Sequence, residues 1–212
     1  CTGLFEEQEN SLNYYKNLLK KYTKLKMICT NPDLIVYRGL RSEYCAGSVA
    51  AIFRELGGKV IYFGKPYPEI YNFCVKKMQE AASSFYDNLD SKAKARAIFH
   101  YLDGERIFWY YPPLNRHGLP LRDMDVEQRN FAYSIMAGGL SEGAYKQAVQ
   151  IIDHEEILGP LEKEQNRITF KRDPDLYYFT VFGDPRGEDP WGWRAEGHHL
   201  CLNYSIWGDR VI

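Results

Sequence analysis

Charge and aromatic usage change together near residue 78, and that change divides the chain into two unlike pieces. Residues 1–78 carry a net charge of +5 and residues 79–212 carry −6. All four tryptophans (Trp109, Trp191, Trp193, Trp207) lie in the second piece. Such a shift predicts a domain boundary, giving pieces of 1–78 and 79–212. No Gly/Pro/Ser linker marks the seam, and Ile70 to Leu89 reads as one helical run across it. A length of 212 residues leaves room for one domain or two small ones.

The whole chain has a net charge of −1, so it has no basic field and no nucleic-acid partner is expected. No apolar run approaches the roughly 20 residues that cross a bilayer, so no membrane partner is expected either. The five cysteines (Cys1, Cys29, Cys45, Cys74, Cys201) form no CxxC pair. Their odd number and wide spacing read as reduced thiols in a cytoplasmic protein. Cys1 runs straight into a helical pattern without a polar tether, which reads as a truncated start rather than a lipidated terminus.

The first piece alternates. A helix is expected over Ser11 to Thr23, a strand over Lys26 to Cys29, and a turn at Thr30-Asn31-Pro32-Asp33. A helix over Gly47 to Leu56 closes on Gly57-Gly58. The apolar strand Val60 to Phe63 runs into Gly64-Lys65-Pro66, and a helix follows from about Pro68. Alternation of this kind predicts parallel α/β architecture.

The second piece reads as α+β, with helices and then antiparallel strands. Helices are expected over Ser91 to His100 and Val126 to Met136. The longest is expected over Ser141 to Leu158, with Ser141 as N-cap. Strands follow at Arg167 to Phe170, Tyr177 to Phe182 and His198 to Ile206, with Gly183 to Gly192 as a loop.

Two places suggest chemistry. Lys65, directly after a strand, either neutralises a phosphoryl group or is a surface lysine in a turn. The segment Trp193-Arg194-Ala195-Glu196-Gly197-His198-His199 carries metal-ligand types in Glu196, His198 and His199. On a regular strand Glu196 and His198 share a face and His199 points away, unless Gly197 supports a bulge. A third ligand would come from His154 or Glu155. The rival readings are a buried strand in which Arg194 pairs with Glu196, and an anion or acid–base site.

Met27-Ile28-Cys29-Thr30-Asn31-Pro32-Asp33, Cys45-Ala46-Gly47 and Tyr62-Phe63-Gly64-Lys65-Pro66 resemble the middle of a haloacid-dehalogenase-like hydrolase of subclass IIA, as does the opening Cys1 to Phe5. The resemblance implies a partial Rossmann-like core. It makes Lys65 the core active-site cation, and Asn31 and Asp33 substrate-side residues of the cap region. A completed centre of this type would use Mg²⁺. The family's Asp-x-Asp nucleophile would lie upstream of Cys1. The family's last motif, a Gly-Asp followed by another Asp that holds Mg²⁺, should follow the helix after Lys65. One look-alike of each motif occurs later. Asp123-Met124-Asp125 opens a helix and reads as an acidic cap, and Gly183-Asp184 with Asp189 is followed by prolines and glycines that forbid the next helix.

From about Asn88 to Ile212 the chain resembles a second family, the domain of unknown function numbered 3500. The matching residues include Gly118-Leu119-Pro120-Leu121, Asp173-Pro174, Val181-Phe182-Gly183 and Trp191-Gly192-Trp193-Arg194 through Leu200. That family supplies no activity. The sequence therefore reads as a truncated or chimeric chain without a complete active site. Alternatives are a phosphatase-like hydrolase completed by another chain, and a metal- or ligand-binding module on the Trp/His-rich strands. Self-association through an unpaired sheet edge is expected.

Overall fold

The computed structural model describes residues 12–167 and 170–212. Cys1, the opening segment to Phe5, Ser11 and the middle of the expected Arg167–Phe170 strand lie outside the described residues. The chain divides into two compact units, one ending at Phe73 and the other Cys74–Ile212. The division falls inside the long helix Pro68–Asn88.

The first unit holds α1 (Leu12–Leu19), continued by a short 3₁₀ turn, then β1 (Lys26–Cys29), β2 (Ile35–Arg38), β3 (Arg41–Tyr44), α2 (Ala46–Glu55) and β4 (Lys59–Tyr62). β1 and β4 pair in parallel, with Met27 opposite Val60 and Cys29 opposite Tyr62. Cys29, Ala46 and Ala50 form one buried cluster, with Met27, Val60 and Tyr62 packed against it, and α2 also buries Val49, Ile52 and Phe53. The β2–β3 hairpin was not expected from the sequence. It turns at Gly39, whose φ is +64°, and exposes Ile35, Val36 and Tyr37, so it lacks the alternating burial that marks a strand in sequence.

The second unit begins on α3 (Pro68–Asn88) and continues through α4 (Ser91–Ala97), β5 (Ile98–Phe99) and β6 (Leu119–Pro120). Helices α5 (Val126–Gly139), α6 (Glu142–Asp153) and α7 (Glu155–Glu164) precede β7 (Tyr178–Phe182), β8 (Trp191–Gly197), β9 (Leu200–Trp207) and β10 (Arg210–Val211). The sheet runs β10-β9-β8-β7-β5, with β6 sharing the outer edge of β7. The pairs β7–β8, β8–β9, β9–β10 and β6–β7 are antiparallel, while β5 is parallel to β7.

Asp125 caps α5 in a reciprocal box with Gln128, and Ser141 caps α6. Three expectations are corrected. The Ser91–His100 helix ends at Ala97, where Ile98 turns extended to join the sheet. The Ser141–Leu158 helix breaks at His154, which ends α6 and starts α7, and α3, with 21 residues, is the longest helix among the described residues. The strand drawn as His198 to Ile206 starts at Leu200, and a strand over Trp191–Gly197 precedes it.

Every residue of β8 is buried. One face, Trp191, Trp193 and Ala195, enters the main core with Phe179, Val181, Met136 and Phe85. Trp193 stacks on Tyr204 at 4.6 Å between centroids and donates its indole N–H to Met78 Sδ at 3.3 Å. The opposite face carries Arg194 and Glu196, and the irregular segment 100–118 covers it.

Candidate functional site

The segment 100–118 has little regular structure, so its carbonyls need partners from elsewhere. Two arginines supply them. Arg194 Nη1 donates to Glu105 O at 2.7 Å and Phe108 O at 2.5 Å, and Nη2 reaches Glu105 Oε1 at 2.5 Å. Arg116 donates to the carbonyls of Leu114 at 2.9 Å, Pro112 at 2.7 Å and Gly197 at 3.1 Å, and also to Tyr110 O. Glu196 lies between the two guanidinium groups, 2.7 Å from Arg194 Nε and 3.1 Å from Arg116 Nε. Burial pushes the Glu196 carboxyl up, against the downward pull of Arg194 and Arg116. Burial also acts to raise Glu105, but hydrogen bonds from His117 and Arg194 outweigh it and hold Glu105 below the usual carboxylate range.

β8 and β9 pair up to Gly197 opposite Leu200, which makes His198 and His199 the turn of the hairpin. His199 takes φ +56°, a left-handed conformation that histidine tolerates better than most side chains. The two histidines are therefore not on opposite faces of a strand, and no bulge at Gly197 is needed. Their ring centroids are 3.9 Å apart.

His198 turns towards α7, where its Nδ1 lies 2.5 Å from Glu155 Oε1. Both residues are buried. Glu155 sits in the first turn of α7, where the helix dipole favours a carboxylate; the break at His154 creates that position. Arg172 Nη1 is 3.1 Å from both ring nitrogens of His198. Its guanidinium is fixed by a bidentate grip on Glu162, at 2.7 and 2.6 Å. Tyr177 donates its hydroxyl to His198 O at 2.7 Å, and burial pushes that phenol well up, keeping it a donor.

Glu155, His198 and Tyr177 form part of the wall of a cavity of about 140 Å³. Arg122, Lys171, Asp173 and Asn115 also line it. Asp173 is 2.7 Å from Arg122 Nη2 and 2.9 Å from Lys171 Nζ. Burial opposes ionisation of Asp173, but Lys171, a backbone N–H and Arg122 hold it below its ordinary value.

Of the residues singled out in the sequence, His198, His199 and Glu155 come together, whereas Glu196 and His154 stand apart from them. Glu196 engages the two arginines, His198 engages Glu155, and exposed His154 contacts Gln150 O. Among the described residues, no three His, Cys, Asp or Glu side chains are placed to hold a metal ion. Asp184 is gripped by Arg186 through Nε at 2.8 Å and Nη2 at 2.7 Å. Asp123 pairs with Arg96 at 2.6 Å, and Asp125 is the α5 cap.

In the first unit, the Thr30–Asp33 turn, the start of α2 and Gly64-Lys65 do come together. A Cβ on Gly47 would meet Pro32 O at 2.0 Å, and one on Gly64 would meet Thr30 O at 2.5 Å. Asn31 Oδ1 accepts from the Asp33 N–H at 3.2 Å, and Lys65 is exposed. Sequence reading missed Arg172, Glu162 and Arg116. The signal for Arg116 was its place among prolines and aromatics, where unpaired carbonyls accumulate.

No curated protein matches this chain. A solved structure from Brucella suis 1330, a hydrolase of the haloacid dehalogenase-like family, is similar at 33% identity. The match covers 47% of this chain and 38% of that one, with a TM-score of 0.33. This chain thus spans well under half the length of that hydrolase. Among the described residues, no helix is long and apolar enough to cross a membrane. The family described as "Protein of unknown function (DUF3500)" matches residues 72–212, and on that match the chain belongs to this family.

Proposed function

We propose that the functional centre of residues 74–212 is the Glu155–His198 pair, acting as a proton-transfer couple on a small molecule held in the adjoining cavity. The observation that carries this reading is a buried carboxylate–imidazole contact of 2.5 Å between two residues that both line the cavity. A carboxylate orienting an imidazole is the arrangement general acid–base chemistry needs, and such groups contribute roughly 10²–10⁴ in rate. Arg172 does not line the cavity; locked by Glu162, it fixes the ring. Residues 1–73 derive, on this reading, from a haloacid-dehalogenase-like core to which Lys65 brings the cation.

The test is carbethoxylation of the folded chain by diethyl pyrocarbonate, mapped by mass spectrometry. His198 is expected to react in the native state, and Glu155→Gln to slow that reaction several-fold, because the carboxylate orients the ring. If His198 reacts only after unfolding, the cavity does not admit small molecules to the pair and the reading fails.

A further inference from the structure

The charges around the cavity do not cancel where they stand. Arg172 and Glu162 neutralise each other in their bidentate pair. The buried floor formed by Glu155, His198 and Tyr177 holds one carboxylate, Glu155, and no lysine or arginine. On the more exposed side, Asp173 is shared between Arg122 and Lys171, so two cations face one anion and one positive charge is left over. The depth order follows from exposure: Glu155 is 4% exposed, His198 7% and Tyr177 1%, whereas the side chains of Arg122 and Lys171 are 37% and 67% exposed. The cavity is therefore dipolar, negative at the floor and positive at the mouth.

Size narrows the ligand further. A cavity of about 140 Å³ matches the dry engineered cavity of about 150 Å³ that admits benzene, six heavy atoms. A molecule of that size that neutralises both ends carries an ammonium or similar donor at one end and a carboxylate at the other. We propose that the cavity binds a zwitterion of the size of a small α-amino acid, its ammonium seated on Glu155 at the floor and its carboxylate between Lys171 and Arg122 at the mouth. This assignment rests on the reading that the Glu155–His198 cavity is the site, and adds the ligand's charge pattern. Asn115, which also lines the cavity, supplies a neutral hydrogen-bonding group.

The experiment is an NMR titration of the full chain, reading the His198 imidazole and the backbone amides of residues 171–177. L-alanine, propionate and ethylammonium serve as probes at equal concentrations. L-alanine is expected to bind roughly tenfold or more tightly than either half-molecule, since it makes both charged contacts at once. Lys171→Gln, at an exposed position, should weaken L-alanine by about tenfold and should not weaken ethylammonium. Lys171→Glu should abolish L-alanine binding and improve ethylammonium. If propionate binds as tightly as L-alanine, the cavity remains a ligand site but its ligand is an anion, and the zwitterion assignment is wrong. If no probe gives saturable shifts at high millimolar concentration, the zwitterion assignment is overturned, while carbethoxylation of His198 still judges the acid–base reading on its own.

Discussion

Arg116 Nε meets Glu196 Oε2 at 3.1 Å across 80 residues of chain, with 2% of either side chain exposed. The contact joins the segment 100–118 to the middle of the sheet, and Arg194 completes it from the other oxygen. Removing one member of a buried charged pair costs on the order of 3–5 kcal/mol, because the partner is left charged and dry. Glu196→Ala takes the carboxylate from Arg116, while Arg194 keeps Glu105, and is expected to cost about that much, read as a loss of thermal stability. The melt should be run with and without a chelator. A chelator that lowers the wild-type melting point but leaves the mutant unchanged would show that Glu196 serves a metal instead.

Arg116→Lys keeps the charge but loses the fork. Lysine offers three donors on one nitrogen, whereas Arg116 reaches Glu196 and four carbonyls through three nitrogens. Hydrogen exchange should accelerate across residues 108–118 while α5 stays protected. Unchanged exchange in that segment would mean that Arg194 alone holds it.

Gly197 approaches Tyr177 so closely that a Cβ would lie 2.2 Å from the ring. Gly197→Ala must push aside a fully buried aromatic, for about 1–3 kcal/mol. It should also disturb the hydrogen bond from Tyr177 to His198 O. Loss of stability together with shifted His198 resonances is expected; a neutral substitution would show that the ring has room to move.

Glu105 titrates below the usual carboxylate range in the folded protein, because hydrogen bonds from His117 and Arg194 outweigh the effect of burial. A folded value below the unfolded one means that Glu105 stabilises the fold above the ordinary glutamate value, about 4.3, and that this stability is lost as pH falls through the folded value. Denaturant midpoints measured downwards from pH 5 should therefore fall more steeply in wild type than in Glu105→Gln. Parallel curves would remove Glu105 as the cause.

Lys65 is exposed at the end of β4, and the sequence places no Asp-x-Asp in residues 1–73. Purified protein given an aryl phosphate and Mg²⁺ is expected to show no Lys65-dependent turnover. Hydrolysis that disappears in Lys65→Ala would establish a working phosphoryl-transfer centre.

The alternation of β1, α2 and β4, the caps at Asp125 and Ser141, and the β7 strand were legible from residue order, because each depends on local periodicity or on a side chain three residues away. The Arg194–Glu196 pair was legible for the same reason: two residues apart on a strand, they share a face. The partners that give these residues their role come from elsewhere in the chain. Arg116 lies 80 residues from Glu196, and Glu155 lies 43 from His198. The same holds for the turn at His198-His199, which sequence continued as strand. Backbone pairing of Gly197 with Leu200 placed it, and a left-handed φ at His199 allowed it. Hydrophobic period and capping are nearest-neighbour physics, and one chain displays them. Which buried charge meets which is decided only when packing removes water and each charged group takes the partner that the fold has brought within reach.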